Sequence, residues 1–226
     1  MWIGEQFIVN SRELDYLFRF DAEKHNLQPI GEYFVRDAVH RWKRDGLAQT
    51  SHQLRRGNHV FLAAQGIRAT GLPFAPRTPG TSDVAHLTHH DSVNMVRLFL
   101  EKEAWKNRQV MSWVSERSLM QQEKLDAKEH PHAPKIHRPD AVIHTGNERI
   151  AIEIEKAYKR PSKLRSILQG YLYTELYTQV RYYCETPAIQ HAIERTVHAI
   201  LWELPAPQRE HLTEKILCLP MPQLYA

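Results

Sequence analysis

Asp140 stands at the head of the apolar run Ala141-Val142-Ile143, and Glu153 and Glu155 close the run Ile150-Ala151-Ile152-Glu153-Ile154-Glu155. Side chains two apart on a strand share a face, so the two glutamates should project together. The link Thr145-Gly146-Asn147 suits a tight hairpin, which would bring Asp140 beside both of them. Three carboxylates this close repel one another unless a cation sits among them, and hard oxygen donors at this density suit Mg²⁺ or Mn²⁺. A metal held in this way activates water and stabilises charge on a phosphate. The competing reading is a surface hairpin whose acids are simply solvated, but acids beside Ile150, Ile152 and Ile154 are costly to gather without a ligand.

Cations follow the acids. Lys156, Lys159, Arg160, Lys163 and Arg165 form a run with no acid in it. Lys163 and Arg165 fall in the expected first turn of a helix, where the macrodipole favours negative charge, and a phosphate backbone would satisfy both the cations and the helix start. A solvated charge run is the alternative. Tyr158 and Tyr171 have nucleophilic hydroxyls, yet aromatic residues on a helix face or near a strand end are more often packing, and Tyr171 reads as core. Trp42, Trp105, Trp113 and Trp202 sit in apolar patterns and should pack too. The histidine sets His86, His89, His90 and His130, His132, His137 are not read as zinc sites, because no cysteine joins either.

The elements that must position these groups fall into two parts. With 226 residues, 42% hydrophobic and 25% charged, the chain has room for one or two cores. The formal charge of +4 and pI near 9.0 favour an anionic partner. No apolar run reaches membrane-spanning length and the first residues lack the pattern of a secretion signal, so a cytoplasmic protein without a membrane segment is expected. Cys184 and Cys218 lie in separate strand candidates and read as buried free thiols. The segment from Gly71 to Ser82 carries proline and glycine without periodicity, which divides the chain into residues 1–72, a linker at 73–84, and residues 85–226.

In the first part, Asn10 with Glu13 reads as a helix start, followed by an apolar face of Leu14, Leu17 and Phe18. A second helix runs from about Glu32 to Asp45, with Phe34, Ala38 and Trp42 inward and Arg36, His40, Lys43 and Arg44 outward. Leu47 to Ala64 alternates as a hairpin tipped by Arg55, Arg56 and His59. Together these describe a winged helix-turn-helix that meets duplex DNA through the basic helix and the wing. A solvated helix face in a small packing domain is the competing reading.

The second part reads as helix His89 to Lys106, strands Val110 to Val114, Asp140 to His144 and Ile150 to Glu155, helix Ser162 to Thr178, strand Val180 to Glu185, helix Ala188 to Glu203 and strand Lys215 to Leu219. That order, α-β-β-β-α-β with additions, predicts an α/β fold with a mixed central sheet.

With Pro139-Asp140 opening its second strand and Glu153-x-Glu155 ending its third, this core resembles the restriction-endonuclease-like PD-(D/E)xK superfamily. The resemblance narrows through Thr88-His89, Val93-Asn94-Met95-Val96, Ser115-Glu116-Arg117, Arg138-Pro139-Asp140, Ile152-Glu153-Ile154-Glu155, Tyr182-Tyr183 and the stretch from Val60-Phe61-Leu62 to Gly66. These segments look like the replication-relaxation family of plasmid proteins, which includes the MOBC-class relaxases that nick a transfer origin to begin conjugation. The resemblance implies a metal-dependent, site-specific DNA nicking endonuclease with plasmid transfer-origin DNA as partner, together with accessory mobilisation or coupling proteins. It also implies Asp140 and Glu153 as ligands of Mg²⁺ or Mn²⁺. Glu155 occupies the place where many members carry lysine and becomes a third ligand or a base that orients water. The cation then comes from Lys159, with Lys156 and Lys163 behind it. His89 matches a family histidine without an assigned role, and Lys163 and Arg165 join the DNA-binding set. Two rivals remain: a DNA-binding accessory or replication-control protein that keeps the nuclease fold without using it, favoured by Glu155, and a restriction or repair nuclease, which double-strand cleavage would reveal.

Overall fold

The computed structural model describes residues 2–31, 33–51, 59–76, 84–129 and 137–224. Its first unit, Met1–Asn107, begins with α1 (Trp2–Glu5), β1 (Val9–Asn10) and α2 (Ser11–Lys24). Asn10 caps α2 as the sequence predicts: its Oδ1 accepts from the Glu13 amide at 2.9 Å while Glu13 Oε2 accepts from the Asn10 amide at 2.9 Å. The chain continues through α3 (Phe34–Arg44), β2 (Ala48–Ser51), β3 (His59–Leu62), α4 (Ala64–Thr70) and α5 (Val84–Lys106). The three strands form an antiparallel sheet in the order β1-β3-β2.

Val9, Leu14, Val35, Ala48 and Val60 form one buried cluster of this unit, with Phe18, Val39 and Trp42 packed against it, and Ile8, Phe61 and Leu87 form another. The inward set of α3 is therefore Val35, Ala38, Val39 and Trp42. Phe34, expected inward, is 40% exposed and meets Phe18 edge-on at 5.3 Å, because its position falls at the rim of the apolar stripe. Gly66 lies so close to the chain before β2 that a Cβ there would stand 2.0 Å from the Leu47 carbonyl oxygen.

α5 contacts α2 and β1 and belongs to the first unit, so the division between units falls after Asn107 rather than within residues 73–84. The proline- and glycine-bearing stretch at 71–82 reads as a domain linker and so places this helix in the second part, whereas its packing belongs to the first. Asn94 ties it down, donating to the Ile8 carbonyl at 2.7 Å and to Glu13 at 2.9 Å.

The second unit, Arg108–Ala226, comprises β4 (Met111–Ser115), α6 (Glu116–Glu129), β5 (Ala141–Thr145), β6 (Glu148–Glu155), α7 (Pro161–Tyr173), β7 (Gln179–Cys184), α8 (Pro187–Trp202), α9 (Ala206–Leu212) and β8 (Ile216–Pro220). Its five strands lie in sequence order, antiparallel from β4 to β6 and parallel from β6 to β8. This is the mixed sheet expected from the sequence. β5 and β6 are joined across Gly146-Asn147, and Gly146 adopts φ 55° at the first turn position, which a side chain would strain.

Val142, Ala151, Val180, Tyr182 and Cys184 line one sheet face and pack beneath Leu164, Leu168 and Leu172 of α7 and Ile189, Ile193 and Ile200 of α8. α7 stops at Tyr173 instead of Thr178, which leaves Leu176 45% exposed in the following turn. Trp202 is also outside the core at 67% exposure; it stacks on His198 and has the Arg209 guanidinium 4.6 Å from its ring centre, as the last turn of α8 reaches the surface. Cys184 is buried and Cys218 half-buried, both free thiols. Among the described residues no helix is long and apolar enough to cross a membrane.

Candidate active site

The hairpin register pairs Ala141 with Ile152, which sets Asp140 opposite Glu153 at the end of the sheet. Period-2 alternation then puts Glu153 and Glu155 on the same face as Ala151, the face covered by α7 and α8. Both glutamates are buried, at 4% and 7% exposure. Asp140 is fixed differently: its Oδ2 accepts the Ile154 amide at 2.7 Å, so its carboxylate lies against the backbone between the two glutamates.

Glu153 has two side-chain partners. The Tyr171 hydroxyl donates to its Oε1, and His137 Nε2 lies 3.2 Å from the same oxygen. Burial lifts the Glu153 carboxyl above its ordinary range and the Asp140 charge adds to the lift, against the lowering pull of the His137 and Tyr171 hydrogen bonds. Glu155 instead takes an ion pair from Lys159, four residues on. Tyr182 pairs with Glu153 in the parallel register and is buried. Its hydroxyl has no hydrogen-bond partner among the described residues, and after burial itself, the charges of Glu153, Glu155 and Asp140 all work against its ionisation.

That orphaned hydroxyl is the observation against which a metal can be judged. A buried phenol without a partner, among three carboxylates, marks a polar pocket whose hydrogen-bonding capacity is incomplete. The all-oxygen donor set around it fits a hard divalent cation. Asp140 and Glu153 are the side chains that would hold one. Among the described residues no three His, Cys, Asp or Glu side chains converge as a metal cage does. Asp140 is turned to the Ile154 amide and Glu155 to Lys159.

Sequence reasoning passed over His137 as a partner of Glu153, although it heads the same His137-Arg138-Pro139-Asp140 run. It also passed over the hydroxyl contact of Tyr171, which is the core residue expected and a ligand of Glu153 at once. Arg138 braces the segment before β5 by pairing with Glu123 at 2.6 Å and Glu116 at 3.5 Å, both on α6. No periodic apolar pattern announced α6, because its side chains are mostly exposed.

The cation run that contains no acid in sequence acquires acids in the fold. Lys156 pairs with Glu185 at 3.3 Å, Lys159 with Glu155 and Arg165 with Glu203. Arg160 and Lys163 are exposed and form no ion pair among the described residues. His89 lies on α5 in the first unit, near His90, whereas the carboxylates lie in the second. Arg36, His40, Lys43 and Arg44 all stand exposed on α3, where Arg41 joins them unforeseen. Arg36 and Arg44 each touch the neighbouring aspartate, Asp37 at 3.2 Å and Asp45 at 3.1 Å. Arg55 and Arg56, and likewise His130 and His132, lie outside the described residues. His59, expected at the hairpin tip, is instead buried as the first residue of β3, with its Nε2 3.0 Å from Asp91 Oδ1.

The fold and site together define a two-unit α/β protein with a buried acidic centre at one end of a mixed sheet. No family model, curated protein or solved structure matches the chain.

Proposed function

We propose that this chain is a metal-dependent DNA nicking endonuclease of the relaxase kind, acting at a plasmid transfer origin. The observation that carries the reading is the Asp140–Glu153 pair: a buried glutamate opposite an aspartate, on a hairpin of a mixed sheet whose five strands lie in sequence order. That arrangement agrees with a restriction-endonuclease-like core. The β1-β3-β2 sheet with the basic face of α3 supports reading the first unit as a winged helix-turn-helix that holds duplex DNA.

Mg²⁺ or Mn²⁺ bound by Asp140 and Glu153 would supply an activated water and charge neutralisation at the scissile phosphate. Tyr171 and His137 orient Glu153. Lys159 is the cation nearest the acids and would meet charge developing on phosphate oxygens, while Glu155 holds Lys159 in place before substrate arrives. Arg160 and Lys163 would take flanking backbone phosphates.

The test is nicking of supercoiled plasmid carrying the cognate origin, with and without Mn²⁺, by the full chain and by Asp140→Ala and Glu153→Ala. Both variants should lose metal-dependent nicking and keep duplex affinity, and full nicking by both would overturn the assignment. A second reading, a DNA-binding accessory or replication-control protein with a silent nuclease fold, draws on the Glu155–Lys159 pair, which occupies the acidic centre from within. Duplex binding by the wild-type chain with no nicking in either metal would favour it.

A further inference from the structure

Beside Glu155, the turn after β6, the start of α7 and one face of α8 enclose a cavity of about 600 Å³. Its lining combines apolar Leu164, Ile189 and Ile193 with Tyr158, Lys159 and Arg195. Tyr158 is 67% exposed, so its ring is not consumed by the core. Lys159 is neutralised by Glu155, whereas Arg195 forms no ion pair among the described residues. Apolar walls, an open aromatic ring and one uncommitted guanidinium suit a flat ring system attached to an anion. The volume lies within the range of small-ligand sites and is too small for a duplex, whose bases would in any case be stacked out of reach.

We propose that this cavity receives one unpaired nucleotide of a single-stranded DNA segment, with its base against Tyr158 and its phosphate at Arg195. The proposal rests on reading the acidic centre as a nuclease site, since Glu155 and Lys159 belong both to that centre and to the cavity lining. A nucleotide held here would lie beside Glu155, the one carboxylate of the acidic centre that lines the cavity. Nicking would then require the origin to be locally melted, and the cavity would hold the melted strand in register. Aromatic stacking of one base contributes enough to single-strand binding that its loss weakens affinity about tenfold or more.

The probe is a labelled oligothymidylate of about 12 nucleotides, within the usual footprint of single-strand sites, titrated with the full chain in EDTA so that no cleavage intervenes. Tyr158→Ala and Arg195→Gln should each weaken its binding about tenfold, Tyr158→Phe and Arg195→Lys should restore most of it, and affinity for a blunt duplex should not change. All four variants alter one of two exposed side chains, so folding is not at stake. Wild-type affinity for the oligonucleotide in both Tyr158→Ala and Arg195→Gln overturns the proposal. So does competition by dTMP as effective as that of the oligonucleotide, which would make the cavity a site for free nucleotide. If the wild-type chain nicks plasmid while those variants bind the oligonucleotide normally, the nuclease reading stands and the cavity assignment falls. If no nicking occurs but the variants lose the oligonucleotide, the nuclease reading falls and the cavity remains a single-strand site.

Discussion

Under the proposed nuclease reading the catalytic cation is Lys159, which the fold pairs with Glu155. Removing Lys159 deletes the positive charge and leaves Glu155 buried without its partner, so the acidic centre becomes more negative while Asp140 and Glu153 keep their own contacts. Lys159→Ala should therefore slow single-turnover nicking by about 10²-fold or more, the usual loss of one preorganised charge donor, with metal affinity retained or raised. Lys163→Ala is the comparison: Lys163 is exposed and has no ion pair among the described residues, so its loss should weaken DNA binding more than the rate. A rate loss in Lys163→Ala with none in Lys159→Ala would relocate the cation. Glu13 offers a residue-scale prediction independent of chemistry. Burial, then the charge of Asp91, raises its carboxyl well above the ordinary 4.5, in spite of hydrogen bonds from the Asn10 amide and Asn94. The folded chain thus keeps a proton that the unfolded chain releases, and stability should fall as pH climbs from about 4.5 through the raised value, by at most ~1.4 kcal/mol per pH unit for one proton. Glu13→Gln keeps an oxygen acceptor for both donors and should flatten that slope in denaturant titrations across the acid range. Glu153 contributes a slope of the same sign, so some should persist. An unaltered slope in Glu13→Gln would show that the proton is held elsewhere.

At the scale of elements, α4 is fixed by a backbone approach that no side-chain pattern foretells. Alanine at Gly66 would gain about 1 kcal/mol of helix propensity, but its Cβ would press on the Leu47 carbonyl oxygen, a backbone atom that also accepts the Ala63 amide at 2.9 Å. The clash should win. Gly66→Ala is expected to destabilise the chain by about 1–3 kcal/mol, read as a lower urea midpoint, and an unchanged midpoint would mean that α4 can shift at no cost. The same contrast governs what the sequence makes legible. Strongly periodic elements such as α2, α8 and the β5–β6 hairpin are readable because burial imposes their spacing, and the capping box at Asn10 is readable because it is local. The Asp140, Glu153 and Glu155 alternation is legible for the same reason. α6 and α9 are not, since helices with mostly polar, exposed faces carry no apolar period. Nor are His137 and Tyr171 as partners of Glu153, or the acids that meet Lys156 and Arg165. Those pairings join positions 16 to 38 residues apart and depend on the sheet being assembled. The end of α7 at Tyr173 escapes notice because Leu176 continues the apolar rhythm by chance.

At the scale of the whole molecule, the two units divide the proposed work, with affinity for duplex in the first and chemistry in the second. The exposed basic face of α3 makes this separable by experiment. Lys43 has no ion pair among the described residues, and the pairs Arg36–Asp37 and Arg44–Asp45 join side chains that are mostly solvent-exposed. Such surface pairs are worth about 1 kcal/mol at most, so a phosphate can displace them at little cost. Each phosphate contact releases condensed counterions, and the logarithm of duplex affinity should fall with the logarithm of salt concentration by about 0.9 per contact. Replacing Arg36, Lys43 and Arg44 together by glutamine should weaken duplex binding and reduce that slope by about two to three. Arg55→Gln with Arg56→Gln should act in the same direction, more weakly. Cleavage of an already single-stranded or pre-melted substrate by the triple variant should remain close to wild type, because the acidic centre does not include α3. Equal salt slopes for wild type and triple variant would remove α3 from the DNA interface and, with it, the winged-helix reading of the first unit.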